Sequence, residues 1–105
     1  MILTVMAMLA ATAAPVPVAA AAPVTVTDRG FRPRGLTIRR GRAVTWAWTG
    51  RRRHDVYFVS GPRRGRPRSC GRRRSGTCTR RFSVAGSYGY VCTLHGTMTG
   101  RVSVR

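Results

Sequence analysis

The segment Tyr88-Gly89-Tyr90-Val91-Cys92-Thr93-Leu94-His95-Gly96-Thr97-Met98 constrains this chain more than any other. Tyr88, Tyr90 and Cys92 alternate, as the inward face of a β-strand does, so the cysteine points inward from a strand end. Leu94 to Met98 then form a tight loop, in which Gly96 supplies backbone freedom. Thiolate, imidazole and thioether are thereby gathered on one short segment. A soft donor set of this kind selects copper, in a trigonal site of two histidines and one cysteine with a weak axial methionine. Such a site needs a second histidine, and the chain has only one other, His54. His54 must arrive from another strand, so the fold has to bring residues near 54 and 92 to one end and builds the site before metal arrives. Structural zinc, the obvious competitor, usually takes four Cys and His ligands and has no habit of using Met.

From residue 24 onward the pattern is β throughout. Val24-Thr25-Val26-Thr27 alternates, Gly30-Phe31-Arg32-Pro33 reads as a turn-like break, and Leu36 and Ile38 alternate with polar neighbours before Gly41 turns the chain. Val44, Trp46 and Trp48 share one face of a further strand. His54, Val56 and Phe58 do the same, which aims His54 inward. Phe82 and Val84 predict a short strand, Tyr88 to Cys92 another, and Val102 with Val104 the last. No stretch holds a helical period of adequate length. Seven or eight short strands with Gly-rich turns predict an all-β Greek-key sandwich or barrel. Ser60 to Thr79 reads instead as a long, irregular, solvated loop, carrying Arg63, Arg64, Arg66, Arg68, Arg72, Arg73 and Arg74 with Pro and Gly between them. A disulfide between Cys70 and Cys78 would close a small ring there, stabilising the fold by about 2–3 kcal/mol on the loop-entropy model. Three cysteines allow three pairings; with this one, Cys92 is left over, and the metal reading gives it a task.

Residues Gly86 to Val102, with their Cys92-x₂-His95-x₂-Met98 spacing, resemble the C-terminal copper loop of the cupredoxins, the plastocyanin and azurin family, in its short-loop, amicyanin-like form. His54, followed by Asp55-Val56, stands where the family has its upstream ligand. The resemblance covers roughly residues 24 to 105. It implies a cupredoxin sandwich, one copper held by His54, Cys92, His95 and Met98, and single-electron transfer between redox partners. It also implies that His95 lies nearest the surface as the electron port, with Leu94, Gly96 and Thr97 as an uncharged docking patch. Two positions depart from the family. Relatives usually have Asn after the first histidine, where it ties the two ligand loops together. This chain has Asp55, which can accept hydrogen bonds there but adds negative charge that favours Cu(II). Trp48 stands near a position where relatives often carry a small polar residue.

All twenty basic residues are arginine, against Asp28 and Asp55 alone, for a net charge of +18. A chain without lysine reflects GC-rich coding bias as much as selection for guanidinium chemistry, so the charge does not by itself mean nucleic-acid binding. Arg51 to Arg53 directly precede His54. Positive charge around the metal end would steer an acidic redox protein, or hold the chain near anionic cell-envelope polymer. Met1 to Ala22 contains no charged residue, and Pro15 and Pro17 interrupt its apolar run too early for a spanning helix of about 20 residues. An apolar core followed by small residues, with Ala19-Ala20-Ala21 as a cleavage pattern, predicts a signal peptide over residues 1–22. The expectation is then an extracytoplasmic protein, secreted or periplasmic, whose monomeric copper-binding domain covers residues 23–105 without a transmembrane span. An uncleaved anchor is the alternative. No cysteine lies near the cleavage zone to carry a lipid. The cysteines suit an oxidising compartment. A domain of about 80 residues has a marginal core, which a disulfide and a metal would both support.

Three function classes compete. An electron carrier cycles between Cu(II) and Cu(I). A copper store or donor uses the same ligands but releases metal to a chelator. A basic module binds polyanions; its binding would vanish with salt and ignore copper. Against the module, the chain lacks interleaved aromatic and basic residues of the single-strand-binding type, and no specific nucleic acid is expected. Nor is an enzyme. Protein side chains fill all four metal positions, leaving no open site for substrate, and one carboxylate beside the site makes no acid–base pair. The electron carrier is the expectation.

Overall fold

Alternation of apolar and polar side chains builds most of this protein. A computed structural model describes residues 20–105; the export segment expected over residues 1–22 lies, up to residue 19, outside them. The described residues form nine strands: β1 (Ala22–Thr27), β2 (Gly30–Arg32), β3 (Gly35–Ile38), β4 (Ala43–Trp48), β5 (His54–Phe58), β6 (Cys70–Arg73), β7 (Thr77–Arg81), β8 (Gly86–Cys92) and β9 (His95–Val104). Among them no helix is long and apolar enough to cross a membrane.

The strands form two sheets, ordered β2-β1-β4-β7 and β3-β9-β8-β5-β6. The chain crosses repeatedly between sheets, so β1 runs parallel to β4 and β3 parallel to β9. Each sheet turns one face inward. Val24, Val26, Val44, Trp46 and Trp48 come from the first, and Val56, Phe58, Tyr88, Tyr90, Cys92, Val102 and Val104 from the second. Fully buried Trp46 sits between them, with the rings of Tyr90 and Phe58 edge-on at 5.5 and 5.9 Å. Edge-to-face pairs of this kind add about 0.5–1.5 kcal/mol each beyond the area they bury. Tyr90 also lies so close over Gly100 that a Cβ at that position would run into its ring.

The structure corrects the sequence reading in three places. The stretch Ser60 to Thr79 is not loop throughout. Its second half contains β6, which pairs with β5, and the start of β7, which pairs with β4. Each of these strands has a single buried apolar position, Cys70 and Cys78, so arginines on the other positions mask the alternation. Those arginines serve the local backbone: Arg80 donates to the carbonyls of Arg68 and Ser69, and Arg73 to that of Thr77. The two cysteines form a disulfide with Cα atoms 6.2 Å apart, joining the outermost strand of one sheet to the outermost strand of the other. Gly30–Arg32 is a strand rather than a break, paired with β1 across a turn in which the Thr27 hydroxyl donates to the Gly30 carbonyl. Phe82 and Val84 do not form a strand: Phe82 is buried just beyond β7, and the Val84 carbonyl accepts the Tyr88 hydroxyl. Nine strands replace the seven or eight expected.

Candidate metal centre

β5 and β8 are hydrogen-bonded neighbours, which brings His54, at the start of one, beside Cys92, at the end of the other. Both side chains are fully buried. His54 Nδ1 faces Cys92 Sγ at 3.8 Å. Cys92 is the free cysteine among the described residues. The tight loop expected over Leu94 to Met98 is only a two-residue turn, Thr93-Leu94, after which β9 begins with His95, whose ring lies against that of His54 with centroids 4.9 Å apart and planes tilted by 50°. His95 is partly exposed, while Met98, three residues on, is buried. The fold therefore gathers all four residues at one end of the sandwich. Among the described residues, no three His, Cys, Asp or Glu side chains close onto a single metal-holding point. His54 and Cys92 are the convergent pair, and His95 and Met98 flank them.

Two side chains, one of them itself braced by backbone, fix His54. Its Nε2 lies 2.8 Å from Asp28 Oδ1. With Nε2–H donating to this carboxylate, the Nδ1 lone pair is left facing Cys92. Asp28 is held in turn by the backbone N–H groups of Arg51 and Arg52, at 2.9 and 3.0 Å. These bonds, that of Arg51 first, then the one from His54, keep its carboxyl well below the usual carboxylate range. Gly50 leaves the room: a Cβ there would strike the Asp28 carboxylate. The other side chain is Trp48, whose indole N–H donates to the His54 carbonyl at 2.9 Å while the Arg73 guanidinium lies over its ring at 5.0 Å.

The Cys92 side is tied down by Asp55. Its two oxygens accept the N–H and the hydroxyl of Thr93, at 2.7 and 2.5 Å. Asp55 thus makes the link between segments that the resemblance assigned to an asparagine. Gly96, expected to supply backbone freedom, takes no left-handed conformation, and a Cβ there would meet open space. Leu94, Gly96 and Thr97 are exposed around the turn.

The sequence reading missed Asp28, and it noted Trp48 without a role. One signal for Asp28 was present: in a chain with twenty arginines, only two side chains are acidic, and both prove to be committed to this end of the fold.

No protein-family model matches the chain. It is 35% identical over 82 residues to amicyanin-alpha of Methylorubrum extorquens, a match that spans 77% of this chain and 69% of that protein. It is similar to the solved structure of a methionine-to-glutamine mutant of amicyanin in the Cu(I) form, with a TM-score of 0.72 and 27% identity over 81% of this chain and 82% of the other. A purple cupredoxin from Nitrosopumilus maritimus shares the fold, with a TM-score of 0.69 and 20% identity over 80% of this chain and 99% of the other.

Proposed function

The chain belongs to the cupredoxin family, in its amicyanin-like form, and on that premise we propose that it is an exported carrier of single electrons, binding one copper ion through His54, Cys92, His95 and Met98. The observation that carries this reading is the buried approach of His54 Nδ1 to Cys92 Sγ, 3.8 Å apart. Metal–sulfur and metal–nitrogen bonds of about 2.3 and 2.0 Å, at an angle of roughly 120°, would separate their donors by about 3.7 Å. The observed 3.8 Å is compatible with one ion held between them. His95, partly exposed at the start of β9, and buried Met98 would supply the remaining imidazole and thioether donors.

Bound copper supplies the Cu(II)/Cu(I) couple. The chain's own residues supply a rigid frame for it. Asp28 holds the tautomer and ring plane of His54, Trp48 fixes its backbone, and Asp55 locks the turn that follows Cys92. A frame held in this way limits rearrangement between oxidation states, which suits electron cycling better than metal exchange. Leu94, Gly96 and Thr97 form an uncharged surface beside His95. Exposed Arg51, Arg52 and Arg53 stand next to the site and suit an acidic redox protein. The Cys70–Cys78 bridge and the uncharged residues 1–22 support an extracytoplasmic location.

The test is a titration of the oxidised chain with Cu(II), followed by visible absorption. An intense band that bleaches with reductant, and is absent in Cys92→Ser, is expected. A folded chain that stays colourless would overturn the assignment. Rapid loss of the colour to a mild chelator would move the reading from electron carrier to copper donor.

A further inference from the structure

We propose that a groove on the outer face of the β3-β9-β8-β5-β6 sheet is a binding site for an amphipathic organic anion, a carboxylate or similar acid group on an apolar body. The groove has a volume of about 560 Å³, and its walls include Arg34, Val59, Gly89, Val91, Gly100 and Arg101. Three observations converge on this ligand class.

The first is the placement of exposed apolar side chains. Among the described residues the large exposed hydrophobics are Tyr57, Val59 and Leu94. Leu94 belongs to the turn beside His95. The other two, each about half exposed at 50% and 51%, share the outward face of β5 and its continuation, where Tyr57 pairs with Val91 of the groove. Val59 lines the groove together with Val91, and Tyr57 stands beside it on the paired strand, so the exposed apolar surface of this face adjoins the concavity.

The second is the pair of arginines at the rim. Arg34 and Arg101 are neighbours across the β3–β9 pairing, with the Arg101 N–H donating to the Arg34 carbonyl at 2.8 Å. Each guanidinium is held by one hydroxyl: Arg34 Nη2 donates to Thr99 at 3.0 Å, and Arg101 Nη1 to Ser87 at 2.5 Å. Among the described residues, each has further N–H donors without a partner. The third observation is the absence of an internal counter-ion. Asp28 and Asp55 are the only acidic side chains of the protein, and both are bound at the His54 end. Two pre-oriented guanidinium groups without a carboxylate, beside an apolar trough, favour a ligand that carries its own acid group and an apolar part. A purely charged polymer would have no use for the trough.

Sodium octanoate is a suitable probe. The ¹⁵N-labelled chain is titrated with it at constant ionic strength, and in parallel with sodium acetate, which has the charge alone, and octylammonium chloride, which has the apolar tail with opposite charge. Saturable shifts are expected at the amides of Gly35, Gly89, Val91, Gly100 and Arg101 with octanoate only. The Arg34→Gln/Arg101→Gln double variant should weaken binding by about tenfold or more through loss of charge-assisted bonds. Unchanged β1 and β4 amides report that its fold is retained. The proposal is overturned if octanoate shifts spread over arginines throughout the chain, if acetate or octylammonium reproduces them, or if the folded double variant binds as tightly as the parent. The three-ligand comparison decides the matter alone should the double variant fail to fold.

Discussion

Substituting Asp55 separates shape from charge at the link between the two ligand-bearing segments. In Asp55→Asn, the amide oxygen can keep the Thr93 N–H bond, and the amide nitrogen can donate to the Thr93 hydroxyl in place of the second. In Asp55→Ala both are lost. Bonds to a charged group contribute about 1.5–3 kcal/mol each, and water competes for those that reach an exposed turn, so about 2–3 kcal/mol is expected for Ala and under about 1 kcal/mol for Asn. For a domain of this size, 1 kcal/mol moves Tm by about 4–8 °C, which gives a fall of about 10–20 °C for Ala and of a few degrees for Asn. The charge has a different readout. A unit charge on the order of 8 Å from the redox centre, at an effective dielectric near 20, contributes about 2 kcal/mol. With about 59 mV per 1.4 kcal/mol for one electron, this amounts to about 90 mV. The exposed Arg72 guanidinium, 3.9 Å from Asp55, offsets part of it, so Asp55→Asn should raise the reduction potential by roughly 40–90 mV. Thermal melts and voltammetry of the copper-loaded variants measure the two effects. If Asn destabilises as much as Ala, the link depends on the carboxylate itself. If the potential stays or falls, the electrostatic reasoning is wrong.

Met98→Leu should retain copper and shift the reduction potential upward, as an apolar group replaces the axial thioether; loss of copper in a metal assay would contradict a weak axial role. The Cys70→Ser/Cys78→Ser pair opens a ring of sequence separation 8 and should cost about 2–3 kcal/mol on urea unfolding. Because β6 pairs with His54 through Arg73, the same variant should also alter the visible spectrum; a loss below about 1 kcal/mol would show that strand pairing alone holds this edge. Gly100→Val pushes a side chain into the Tyr90 ring and should destabilise by about 1–3 kcal/mol, whereas Gly96→Ala, with open space around it, should melt like the parent.

What was legible in the sequence follows from what each residue signals locally. Val24 and Val26, then Val44, Trp46 and Trp48, announce their strands because every second side chain is large and apolar. The convergence of residues 54 and 92 could be read because His54 shares its strand face with Val56 and Phe58, and Cys92 with Tyr90. β6 and β7 were hidden, since a single cysteine stands on the buried face of each and arginines fill the rest. Asp28 was hidden for another reason. Its bond to His54 spans 26 residues and crosses between sheets, and nothing in a turn Thr-Asp-Arg-Gly reveals which distant ring its carboxylate meets. Only the scarcity of acid in the chain pointed there. Gly96 shows the opposite error: a glycine in a tight turn suggested a special conformation that the backbone does not use.

The disulfide between outermost strands bears on how copies of this protein treat one another. A sandwich has two open flanks, where unpaired backbone groups can recruit a strand from another molecule. On one flank β6 and β7 are covalently joined and carry Arg72, Arg73, Arg80 and Arg81. On the other, β2 and β3 are joined by a two-residue connection and flanked by Arg32, Arg34 and Arg39. Two copies approaching edge to edge therefore meet guanidinium on both sides, with the Asp55 carboxylate beside Arg72 near the first flank. If the arginine excess guards against self-association, salt should weaken the guard: light scattering should rise with ionic strength as the Debye length falls from about 10 Å at 0.1 M to about 3 Å at 1 M. Solubility and redox function thus draw on a single asymmetry, in which the fold retains acid only where the metal end needs it.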